Sequence, residues 1–460
     1  MTSRTDADET PATSLWRHRD FRRYLTGQTA SVAGNSVSSM AIPVLAVLEL
    51  NATTAQVAWL MFLGQLPPAL LALHAGALGD RHSKKRQMIT SDLVSAAALA
   101  TVPAAAALHA LTLSQLMVVA AVQDAASISL LPTLVERSLI QRSNSRVGAL
   151  FAVAATAGSN LGATLTALLG PARALLGDVA SFLISAWCTA RIQAREPRRA
   201  RPDDSRLRTE ICEGLRYVHS NHQLRTLTLV NATTSFGLAV LNTLWALYLL
   251  RVLEMSATVF GLVLGLGALG AAAGALWAPT AARRFGPGPM MLTALSITPL
   301  TQIPLLLASP GLGWQITIGS ALFLQLACAG AAGTTQRSIR QIITASAMQA
   351  RRMQAVSTWL TSAARPVAAL LAGGFGTWLG VRPTLIGGAL LLVVPVAVLA
   401  RSPLRGLRLM PVPPPDPARP ADPPVPPPMP ADVWKPSVAG RRVVRTGDTG
   451  QDSSLDGGPS

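Results

Sequence analysis

The sequence predicts an all-α membrane protein in which twelve transmembrane helices form two six-helix bundles. Three observations lead there. Of 460 residues, 50% are hydrophobic and 13% are charged, whereas soluble domains carry about 25% charged residues. The charges stand almost entirely between apolar runs rather than within them. The runs number twelve, and each approaches the roughly 20 residues that a helix needs to cross a hydrocarbon core about 30 Å thick.

In order, the apolar segments lie near 27–50, 55–78, 88–108, 113–133, 148–170 and 173–191 in the first half. In the second half they lie near 226–250, 257–281, 289–308, 312–333, 354–379 and 383–400. Each is expected to be a helix, because within a bilayer every backbone polar group must be satisfied inside its own segment. The N-terminal stretch has no short apolar core followed by a small-residue cleavage site, so the first segment is expected to stay in the membrane. The densely basic stretch RIQAREPRRARPDDSRLRTEICEGLRYVHSNHQLR separates the halves. The expected organisation is an N-terminal arm (1–26), a first bundle (27–192), a basic central loop (193–225), a second bundle (226–402) and a tail (403–460). From Pro411 the tail is so dense in proline that it cannot build a core and is expected to be disordered.

Equal halves imply a parallel duplication, an arrangement used by transporters whose two bundles rock about a central site. GALGDRHSKKR after the second segment and GALWAPTAARRFG after the eighth are a faint internal echo of it.

The net charge of +17 would point to nucleic acid in a soluble chain, but its placement points elsewhere. Arg4, Arg17, Arg19, Arg22 and Arg23 precede the first segment, and Arg81, Lys84, Lys85 and Arg86 follow the second. Arg137, Arg142 and Arg146, then Arg283 and Arg284, then Arg337, Arg340, Arg351 and Arg352 recur in alternate gaps. The opposite gaps hold only Arg173, Arg251 and Arg382. By the positive-inside rule both termini are expected to be cytoplasmic, in a multi-pass protein of the cell membrane. The basic charge is thus assigned to topology, and no nucleic-acid partner is expected.

Cys188, Cys212 and Cys328 have no paired spacing, and His219 and His222 have no metal-type neighbours. Neither a disulfide framework, a metal site nor a cofactor is therefore expected. Without a Gly-x-x-x-x-Gly-Lys-Ser/Thr loop, ATP-driven transport is not expected, nor is an enzyme activity.

The loop after the second segment carries Gly76, Leu78, Asp80, Arg81, Lys84 and Lys85 in the pattern Gly-x-Leu-x-Asp-Arg-x-x-Lys-Lys. Residue types, spacing and position between the second and third of twelve helices resemble the signature of the major facilitator superfamily, with Ser83 where the family usually has glycine. The resemblance covers about residues 16–405 and looks nearest to the exporter-like subgroup that includes the enterobactin exporter and macrolide-efflux-like proteins. It implies alternating access, with Asp80 latching onto the start of helix eleven near Met353 and Gln354. The sequence also departs from the family. Gly158-Ser-Asn-Leu-Gly162-Ala163 replaces the Gly-Pro-x-x-Gly-Gly of antiporters, helix four lacks its usual Arg, and Asn35 stands where relatives often have Asp.

A charge at the centre of a helix costs about 2.5 to 3.5 kcal/mol on insertion scales, so each one needs a partner, a cavity or a proton. Asp124 falls midway along helix four, which the resemblance places on the central cavity. It is the candidate coupling or substrate-contacting carboxylate; the alternative is a structural pair, with Arg365 as partner. Arg365, about 18 Å into helix eleven, could instead satisfy carbonyls freed by Pro366. Asp178 is placed near the outer end of helix six, within reach of headgroups or water. Gln28, Asn35, Asn160 and Asn242 are candidates to line the cavity.

The expected activity is proton-coupled export of a small organic molecule by a monomer in the lipid bilayer. The alternative is a non-transporting scaffold or sensor of the same fold.

Overall fold

The computed structural model describes residues 19–71, 84–127, 137–193, 216, 219–343 and 347–411. These residues are almost wholly helical. The first half comprises α1 (Arg19–Val44), α2 (Thr54–Leu71), α3 (Lys84–Ala107), α4 (Leu113–Ser127), α5 (Arg137–Leu169) and α6 (Pro171–Ala190). The second comprises α7 (His222–Leu247), α8 (Ala257–Phe285), α9 (Pro287–Leu300, resuming as Ile303–Leu307), α10 (Leu312–Ile343), α11 (Ala347–Trp378) and α12 (Val381–Leu391 and Val393–Ala400). Among the described residues, seven helices are long and apolar enough to cross a membrane. Two shorter apolar helical stretches, Leu113–Gln123 and Val153–Leu169, lie in α4 and α5.

The helices end differently on the two sides of the molecule. On the side away from the termini they stop within about two residues of the apolar runs. Short corners set them there, with Asn51, His109 and Glu254 at positive φ and Gly170, Gly311 and Gly380 supplying the remaining turns. On the terminal side several overrun. α5 begins at Arg137, α10 continues to Ile343 and α11 begins at Ala347 rather than near Met353. Hydropathy registers only the part of a helix in hydrocarbon, whereas the hydrogen-bond ladder continues into water at no such limit.

The duplication is visible in backbone detail. α1 widens into a π-helical turn at Leu45–Glu49, and α7 does the same at Tyr248–Val252. Asn51 and Glu254 follow at φ 49° and 50°. Ala52 N–H then bonds to Ala46 at 2.9 Å, and Met255 N–H to Leu249 at 3.0 Å. All of these positions correspond at one constant offset. Pro43 does not cause the widening, because Ala246 stands at the corresponding position.

Within the first half α1 packs on α5 and α6, and α3 on α6; within the second α8 packs on α10, and α7 on α11. The halves meet where α2 lies on α11 and α5 on α8. Small residues permit this closeness, as is general in membranes. Gly261 faces Ala163 and Met40, Gly265 faces Asn160, and Gly373 faces Ala58, in each case leaving no room for a Cβ. Gly158 and Gly162 of the departed helix-five motif pack instead on the α1 backbone at Ala33 and Val37.

The principal apolar core lies toward the far side and draws on both halves, joining Met40, Leu45 and Leu60 to Leu241, Leu244, Tyr248 and Phe260. On the terminal side the buried clusters among the described residues belong to the second half alone, around Leu227, Met291 and Ile339 and around Ala278 and Met290.

Candidate transport pathway

Asp178 of α6 is fully buried, at 0% exposure. Ser38 of α1 donates to its Oδ2, Ser181 donates to Oδ1 at 2.9 Å, and Gln123 of α4 donates to Oδ2 at 3.4 Å. Three helices are thereby joined at one carboxyl group. Gly34 of α1 makes the approach possible, since a Cβ there would fall on Ser181 and Asp178. The expectation that Asp178 reaches headgroups or water is therefore corrected. It lies in the half of α6 away from the termini, but its side chain turns inward onto α1, and hydroxyl and amide donors replace water.

A second buried carboxyl group was not singled out from the sequence. Asp92 of α3 is 1% exposed, and neither of its oxygens has a hydrogen-bond partner among the described residues. Ser185 of α6 is its neighbouring hydroxyl, also buried and also unsatisfied. The signal was present in MITSDLVSAAALA, where Asp92 and Ser95 fall inside an apolar run.

Asn35 and Ser39 of α1 and Asn242 of α7 are exposed, Ser39 and Asn242 at corresponding positions of the two halves. Asn160 is half-buried and donates to Thr156 at 2.9 Å, with Gly265 of α8 against its amide. Arg365 lies near the middle of α11 and is exposed, with no hydrogen bond among the described residues. It does not satisfy carbonyls around Pro366, which a continuous helix accommodates. Asp124 lies on α4, one residue beyond Gln123; its side chain is outside the described residues, as are Gly76, Leu78, Asp80 and Arg81 and the side chain of Lys84. Lys85 donates to the Ile192 carbonyl at 2.6 Å, tying the start of α3 to the end of α6.

The far side carries a latch between the halves. Arg251, in the π-turn after α7, donates through Nη1 to Ala52 O and through Nη2 to Val47 O, both at 2.8 Å. These carbonyls flank the corner after α1, where a helix C-terminus leaves acceptors unmet. Arg382 is used similarly within the second half. It donates to Tyr248 Oη at 2.9 Å and to Ala308 O. Two of the three arginines that interrupt the charge alternation are thus held by backbone carbonyls and the Tyr248 hydroxyl.

Paired six-helix halves, joined along two symmetry-related seams and enclosing polar groups, define a membrane transporter. The model of the Major Facilitator Superfamily matches residues 24–348, and the chain belongs to that family. It is 28% identical over 412 residues to the multidrug efflux pump Tap of Mycobacterium tuberculosis (strain ATCC 25618 / H37Rv), covering 83% of this chain and 93% of that protein. Among solved structures, a bacterial homologue of the iron transporter ferroportin in its inward-facing state superposes with a TM-score of 0.65 at 15% identity, over 84% of this chain and 100% of that one. A mutant of the nucleoside transporter NupG gives 0.64 at 11% identity, over 83% and 99%. The chain is a membrane-embedded, multi-pass transporter and not an enzyme.

Proposed function

We propose that the protein exports small organic molecules, drugs or secondary metabolites, by alternating access driven by the proton gradient, with both termini in the cytoplasm. The observation that carries this reading is the far-side junction between the halves. Apolar packing and the two hydrogen bonds of Arg251 join α1 and its neighbours to the second half there. Such a junction can be released at one end and remade at the other as the halves rock. The similarity to Tap across both halves supports outward transport.

In this reading Asp124 is the coupling or substrate-contacting carboxylate, and Asp178 positions α4 beside it through Gln123. Asn35 and Arg365 contribute to the pathway, and Gly76 to Lys85 gate its cytoplasmic side. The monomer is the working unit.

The test is drug accumulation in cells lacking their own efflux pumps, with and without this chain and with and without a protonophore. Lower accumulation that the protonophore abolishes is expected. Unchanged accumulation across chemically diverse drugs refutes export, and protonophore-insensitive export refutes the coupling. Asp124→Asn is expected to abolish the proton-driven component while leaving the protein in the membrane.

A further inference from the structure

At the terminal end of the first half, the beginnings of α1 and α3 and the end of α6 enclose two open cavities that share Arg23. One, of about 560 Å³, is lined by Arg23, Lys85 and Arg191 with the backbone of Ala190–Gln193. The other, of about 280 Å³, adds Arg19, Arg22 and Trp187. The first lies within the size range of small-ligand sites.

Three of these cations, Arg23, Arg191 and Lys85, are held in place rather than merely exposed. Arg23 uses one nitrogen, Nη1, for both Asp20 and the Arg191 carbonyl, leaving Nε and Nη2 without an acceptor among the described residues. Arg191 stacks on Trp187, its guanidinium carbon 4.3 Å from the ring centroid, and has no acceptor among the described residues. A stacked guanidinium keeps its fork of donors oriented, the geometry that suits a phosphate. Lys85 is fixed by the Ile192 carbonyl. Among the described residues five cationic side chains border the two cavities and Asp20 adds one carboxylate, so this lining is net positive.

The source of the phosphate follows from what continues below the site. Leu176, Leu183, Ile184 and Trp187 form one exposed apolar stripe along α6, Trp187 being 58% exposed. In a membrane-spanning chain such a stripe meets acyl chains, and an amphipathic Trp marks the headgroup level. A soluble anion would use the cations alone; a phospholipid uses cations and stripe together.

We propose that this junction of α1, α3 and α6 is a binding site for an anionic phospholipid, with the headgroup phosphate between Arg22, Arg23 and Arg191 and an acyl chain along the α6 stripe. The site borders the cytoplasmic gate only at Lys85 and does not depend on the direction of transport.

The test uses the full chain purified in neutral detergent, with thermal stability followed during titration with phosphatidylglycerol, phosphatidylcholine or inorganic phosphate. Phosphatidylglycerol is expected to stabilise at concentrations at least tenfold below phosphatidylcholine, on the order of fivefold for each cation engaged. Arg22→Gln with Arg191→Gln is expected to remove most of that preference, while Arg191→Lys retains part of it. Arg283→Gln with Arg284→Gln, an equal loss of charge at the end of α8, is expected to change it less than twofold. Unfolding of each variant without lipid reports its fold, so lost preference at unchanged basal stability isolates binding. Equal response to both lipids, or equal loss in the α8 control, overturns the site. An equal shift from inorganic phosphate alone assigns a soluble anion and overturns the lipid.

Discussion

Arg251→Ala tests the far-side latch most directly. The substitution removes two charge-assisted hydrogen bonds of 2.8 Å, both to backbone carbonyls of the other half. Each such bond contributes about 1.5 to 3 kcal/mol when shielded. Arg251 is exposed, and solvent screening brings the pair to about 1 to 3 kcal/mol together. The loss does not fall equally on the two ends of the transport cycle. When the halves part on this side, Ala52 and Val47 move away with α1, so the open state lacks these bonds with or without the substitution. The equilibrium therefore shifts toward opening on this side by roughly 5- to 150-fold. Spin labels at Leu48 and Glu254, both exposed at the corners concerned, report the separation by pulsed dipolar spectroscopy after Cys188, Cys212 and Cys328 are replaced by serine. The expected result is a new long-distance population in Arg251→Ala and a smaller one in Arg251→Lys, which keeps charge and one donor direction. A distance distribution identical to that of the parent refutes the latch.

Other perturbations separate packing from polarity. Asp178→Ala strands Ser38 and Gln123 without their shared acceptor and is expected to lower stability by about 2 to 4 kcal/mol, read as a fall in melting temperature; Asp178→Asn, which keeps an acceptor, is expected to cost less than half of that. Gly34→Ala drives a methyl into the same cluster and is expected to cost about 1 to 3 kcal/mol in the same assay. Gly261→Leu places a side chain on Ala163 and Met40 at the seam of α5 and α8, and is expected to reduce transport while the chain still inserts in the membrane. Ending the chain after Pro411 is expected to leave efflux intact, whereas a tail-based scaffold would lose its function.

The twelve-segment plan was legible because hydropathy directly reports the cost of placing a residue in hydrocarbon. Its far-side boundaries were legible as well, since turns such as Leu50-Asn51 and Leu169-Gly170 interrupt apolar runs abruptly. The terminal-side boundaries were not. The polar turns that extend α5 and α11 are helical without being apolar, and a hydropathy reading stops where the oil stops. The candidate pathway was legible in part. Asp178 could be seen as a charge inside a helix, but its burial depends on Gly34 opposite, and the burial of Asp92 depends on the packing of α3 against α6.

Composition and charge order alone determined that the chain crosses a membrane repeatedly and is built from two like halves. These are properties of each segment taken singly, fixed by transfer of side chains between water and lipid. Which helices touch was decided only by the tertiary structure, because it depends on close approach between residues far apart in the chain. Ala163 against Gly261, Ser38 against Asp178 and Arg251 against the corner after α1 are such pairs, and no local pattern in the sequence specifies them.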